Sequence, residues 1–180
     1  MKLSSLLGAL LLLAPTAAGA EPPTAPGART YHDGDQALTV YLDPRWLARL
    51  GPAGDGLRSR SVTLVAVKDP RHRRALRRGR VPADLPADHV PVFTTTPDGG
   101  RRLALPGGVL VYVAAVHAAE AGPWLARQGL TVLGPVSPGQ AGFLVAAPPG
   151  LPSLALAESL RRRPGIARAT PLWWRETAPR

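Results

Sequence analysis

The chain has 180 residues, with 20 Arg and two Lys against 12 acids for a net charge of +10, and its 19 Gly and 21 Pro fill more than a fifth of its positions. That density excludes a long-helix protein, because each Gly or Pro costs about 1 to 3 kcal/mol inside a helix. The absence of cysteine excludes a disulfide framework, a thiolate metal site and a cysteine nucleophile.

Residues 1–20 carry Lys2, an apolar run at 6–13 and then Ala18-Gly19-Ala20, the layout of a secretory signal peptide. The run is too short to cross a bilayer. Its removal leaves a chain of net charge +9, 21 bases against 12 acids, expected to be exported to a periplasm or the exterior with no later membrane span. Residues 21–28 form a Pro-rich leader with little to bury, which reads as a flexible arm.

Residues 29–106 read as a loose β-rich module of about four strands. Asp33-Gly34 marks a turn, and Leu38, Val40 and Leu42 alternate along a return strand over 37–42. A further strand is predicted at 61–67, followed by a basic run over 68–80. A second hairpin is predicted from strands at 90–96 and 101–105 around Pro97-Asp98-Gly99-Gly100. The connector at 81–89 is rich in Pro.

Residues 107–171 alternate more tightly. The Val-rich run at 109–116 reads as a strand buried on both faces. A short helix is predicted within 117–128, with Ala118, Ala121 and Leu125 on one face; Gly122-Pro123 requires it to start late. Strands are predicted at 130–135 and 142–147, joined by Ser137-Pro138-Gly139-Gln140. A second helix starts at Pro152, has Ser153, Leu156, Ala157 and Leu160 on one face, pairs Glu158 with Arg162, and stops at Pro164-Gly165. A last strand is predicted at 166–171, and residues 172–180 form a tail. The order β-α-β-β-α-β predicts an α+β protein whose C-terminal domain is ferredoxin-like.

The segment from Leu154 to Pro171 resembles the last helix and strand of subtilisin-type propeptides and of the stand-alone inhibitors related to them. Ala157, Leu160, Pro164, Gly165, Ile166, Ala169 and Pro171 fill that family's pattern, with Ile166 a conservative departure. Gly129-Leu130 and Phe143-Leu144-Val145 match the preceding segment. The Tyr31-His32-Asp33-Gly34 hairpin is similar to the region that precedes such domains in some bacterial subtilases.

With no protease domain after Pro171, the resemblance implies an external chaperone or inhibitor. It would act in a 1:1 complex on a separately encoded, kexin-like subtilisin-family serine protease. It further implies that the exposed sheet face binds the enzyme and that the tail, with Leu172, Trp173, Trp174, Arg175 and Arg180, lies nearest the active-site cleft. Arg180 would suit an acidic specificity pocket. Trp173 and Trp174 suit an interface anchor, or equally a fold-back onto the N-terminal module.

The basic run, with Arg71, Arg73, Arg74, Arg77, Arg78 and Arg80, reads as a solvated helix or loop. The competing reading is an envelope adaptor that binds an acidic partner through this surface. Nucleic acid is disfavoured, because no aromatic is interleaved for stacking and the chain is expected to be exported. His32, His72, His89 and His117 have no metal-ligand spacing, Asp33-Gly34-Asp35 lacks the later ligands of a calcium loop, and no Ser lies on a nucleophile elbow. The sequence therefore predicts neither an enzyme nor a bound cofactor.

Overall fold

The computed structural model describes residues 25–52, 60–137 and 141–177. The predicted signal peptide, residues 21–24 of the predicted leader and Arg180 lie outside the described residues. Of those described, 43% are in strand and 22% in helix, a strand-rich α+β protein with two sheets.

The first sheet begins with strands β1 (Ala28–Asp33) and β2 (Gln36–Leu50), antiparallel and closed by the two-residue Gly34-Asp35 turn. β2 continues eight residues beyond the predicted end at Leu42. The extension was hidden by Pro44, which sits at a break in the β2 register between Leu42 and Leu47. There the buried Asp43 carboxylate accepts the backbone N–H of Arg45 at 2.9 Å and its guanidinium at 2.9 and 3.0 Å, so the irregularity leaves no naked charge inside.

Strand β3 (Val62–Ala66) pairs with β2, and helix α1 (Pro70–Arg77) follows from an Asp69 N-cap. Strands β4 (His89–Thr96) and β5 (Gly99–Ala104) make the second predicted hairpin. The sixth strand comes from the far end of the chain. Strand β10 (Trp174–Arg175) pairs with β5, giving the order β1-β2-β4-β5-β10 with β3 on β2.

The second sheet holds β6 (Val109–Val113), β7 (Val132–Pro135), β8 (Gly142–Val145) and β9 (Ile166–Pro171), all antiparallel in the order β7-β8-β6-β9. Between β6 and β7 a 3₁₀ turn (Ala115–Glu120) leads into helix α2 (Ala121–Arg127), so the helix starts late with Pro123 in its first turn. Ala121 and Leu125 are buried as predicted, whereas Ala118 lies in the turn and is exposed. Helix α3 (Leu151–Arg161) precedes β9.

Two cores meet at α3. Its Ala157 and Leu160 pack with Val109, Val111, Val113, Leu125 and Val145, while Leu154 points into the first sheet's core beside Tyr31, Leu42, Leu76 and Phe93. Each buried Val, Leu or Phe among them contributes roughly 1.5 to 3 kcal/mol. Glu158 does not take Arg162 as the spacing suggested. Its carboxylate accepts the backbone N–H of His32 at 2.8 Å and the His32 Nδ1–H at 3.1 Å, with Arg161 at 3.6 Å. Position 158 faces β1, and a partner on another element competes better than a solvated neighbour one turn away.

Partial burial pushes the Glu158 carboxyl up, but the bonds from His32 outweigh it and the net shift is downward. A carboxyl held below its ordinary value stabilises the fold above the unfolded pKa and loses that stabilisation as pH falls through the folded one. Urea melts should therefore show wild type ahead of Glu158→Gln by roughly 1 kcal/mol near neutral pH, with the gap closing below about pH 4.

Candidate partner-binding face

Alternation along β6 divides the second sheet into two unlike faces. Val109, Val111 and Val113 are buried under α2 and α3, while Leu110 and Tyr112 are only half-buried on the other side. The run is thus buried on one face and not both, and Val116 lies beyond the strand, 81% exposed. The antiparallel register extends the second face sideways. Leu110 stands opposite Leu144 and Thr170, and Tyr112 stands opposite Gly142 and Arg168.

The Tyr112 ring lies across Gly142, where an added Cβ would stand 2.5 Å from it. The Arg168 guanidinium sits 5.8 Å from that ring's centroid and is held on its other side by Asp33, which also accepts the Thr170 hydroxyl at 3.0 Å. Asp33 comes from the β1-β2 turn, so the first sheet supplies the rim of the second sheet's free face. Leu110, Tyr112, Arg168, Thr170, Trp173 and Arg175 with Asp33 line a shallow cavity of about 200 Å³ here. Burial pushes the nearby Tyr31 phenol up, opposed by Arg175 and aided by Asp33.

The tail enters this region already engaged. The Leu172 backbone N–H donates to Gly108 at 3.1 Å, and Glu176 is held by Arg102 through a backbone bond of 2.9 Å and a side-chain bond of 2.8 Å. Trp173 turns inward to Tyr31 at 5.0 Å and Phe93 at 5.7 Å between ring centroids. Trp174 packs on the cluster of Ala48, Val90 and Ala104. Of the two options open for these indoles, the structure places both against the N-terminal sheet. Arg175 remains exposed.

The basic run forms α1 and its flanks. Leu76 is buried and anchors the helix, while Arg71, Arg73, Arg74, Arg77, Arg78 and Arg80 are exposed. Arg73 donates to the Val67 carbonyl at 2.7 Å. The histidines are dispersed: His32 on Glu158, His72 on Asp84 at 3.0 Å, His89 on Asp88 at 2.7 Å, and His117 stacked on Trp124. Among the described residues no group of three or more His, Cys, Asp or Glu could hold a metal ion, and no helix is long and apolar enough to cross a membrane.

Tyr112 and Arg168 do not stand out in the sequence, and Asp33 does so only as a turn residue. The signal was present in the alternation of Val with larger residues along 109–113 but becomes readable only once the register is known. Comparison of the chain with models of protein families, with curated proteins and with solved structures found no match.

Proposed function

We propose that the chain is an exported, non-enzymatic partner of a separately encoded subtilisin-like serine protease, whose folding it assists, whose active site it occupies, or both. In this reading the second sheet with α2 and α3 is a ferredoxin-like domain of the propeptide type. The observation that carries the reading is the two-faced sheet: both helices pack on one side, leaving Leu110, Tyr112 and Arg168 on a preformed surface opposite. Subtilases have large parallel sheets and high contact order, so a rigid surface that stabilises a half-formed enzyme speeds their folding. A preformed surface also loses little entropy on binding.

The anchored tail narrows which residues meet the enzyme's cleft in this reading. With Leu172 bonded to Gly108 and Trp173 to Glu176 held against the first sheet, cleft contact in this reading falls to the residues after Glu176, Arg180 being the candidate for an acidic pocket. Occupation of the cleft by Trp173 or Trp174 would require β10 to leave β5.

The test is refolding of a subtilisin-like protease from the same genome with and without the chain, followed by inhibition assays on the folded enzyme. The expected result is a raised yield of active protease or tight inhibition, weakened about 30-fold by Tyr112→Ala and little by Tyr112→Phe. Unchanged yield and activity, with no complex on size exclusion, would sink the proposal.

A further inference from the structure

The basic helix has a face the protease reading does not use. On α1 the positions of Arg71, Arg74 and Arg78 follow the spacing of neighbours on one helical face, with Arg77 at its margin, directly opposite the buried Leu76. All four side chains are exposed. None of their guanidinium groups makes an ion pair or hydrogen bond among the described residues. Other arginines of the chain do: Arg45 with Asp43, Arg102 with Glu176, Arg127 with Glu120, Arg161 with Glu158 and Arg168 with Asp33.

The acids closest to α1 are already taken. Asp69 caps the helix by accepting the Arg71 backbone N–H at 2.7 Å, and Asp84 is bonded to His72 at 3.0 Å. Lys68 and Arg80 extend the exposed positive strip at both ends.

We infer that this face of α1 docks on an anionic phospholipid surface. A guanidinium pairs with phosphate oxygens through two parallel bonds, and headgroups diffuse laterally to meet a row of guanidiniums whose spacing is set by a helix. A specific protein interface needs a desolvated centre filled by large side chains. The outward face of α1 has none: apart from Pro70, exposed in its first turn, the helix's apolar residues are the half-buried Ala75 and the buried Leu76. With no large apolar side chain to insert, binding is electrostatic, reversible and weakened by salt, each base contributing about 1 kcal/mol or fivefold in partitioning.

The experiment is co-sedimentation of the full chain with vesicles of phosphatidylcholine containing phosphatidylglycerol, against phosphatidylcholine alone. Two triple variants of equal charge loss are compared with wild type: R71Q/R74Q/R78Q, and R101Q/R162Q/R163Q elsewhere on the surface. Thermal melts check that both remain folded. The expected result is binding to the anionic vesicles only, abolished by raised salt, and lost about 100-fold in the α1 triple but less than about tenfold in the other. Equal losses in the two triples would show a response to net charge alone and overturn the assignment to α1. Absence of binding to anionic vesicles would overturn it too, and tighter binding to polyglutamate at the same ionic strength would give the face to an acidic protein instead.

Discussion

Trp173→Ala is expected to destabilise the chain by about 3 kcal/mol, lowering Tm by roughly 6 to 12 °C. The half-buried indole packs on the first sheet's core, within 6 Å of Tyr31 and Phe93 between ring centroids, and its removal strips those contacts and enlarges the shallow cavity that it lines. It also unpins β10, because Trp173 stands between the end of β9 and Trp174. Trp173→Phe keeps most of the aromatic packing and removes a buried indole N–H that has no partner among the described residues, so it should cost much less. Thermal melts of the two variants in the absence of any partner check this. An interface anchor would leave the melt unchanged and affect only binding; a large fall for Ala with a small one for Phe is the result of an internal role.

Gly165→Ala should cost a similar amount, about 2 to 5 kcal/mol, although it adds a single methyl group. Gly165 has φ +83, where a side chain meets its own backbone at a cost of about 1 to 2 kcal/mol. The added Cβ would also stand 2.7 Å from the Trp124 ring and 3.0 Å from His117, so the stacked pair between the start of β9 and α2 must shift. Chemical denaturation of Gly165→Ala beside Gly129→Ala separates the two causes. Gly129 has φ +78 with no neighbour within 4 Å of an added Cβ, and thus reports backbone strain alone. Equal losses would remove the packing contribution.

Gly165 also shows why the Pro164-Gly165 pair was readable beforehand. A proline followed by a glycine signals a left-handed turn from its chemistry alone, and the Arg163–Ile166 turn stands there, after α3 has already ended at Arg161 and so short of the predicted stop. The alternation at 37–42 and 90–96 and the Val-rich run at 109 onward were readable for the same reason, since side-chain periodicity is a local property. Pro44 defeated that reading in β2, because the pairing across β4 resumes beyond the irregularity and only the partner strand reveals it. Helix spacing pairs Glu158 with Arg162, whereas His32, 126 residues away, takes its carboxylate.

By itself the sequence determined the kinds of most elements and their order, the basic run being left between helix and loop, together with the two turn-closed hairpins, the late start of α2, and the excess of arginine without cysteine. These depend on backbone preference, periodicity and composition, which act over a few residues. The tertiary structure decided which face of the second sheet is left free, that Asp33 forms its rim, and that the tail closes the first sheet as β10 instead of standing clear. Those outcomes depend on strand register and on competition between distant partners. A two-residue strand such as Trp174–Arg175 has no periodicity to detect, and its place is set by the open edge of β5 and by the aromatic pocket waiting for Trp173.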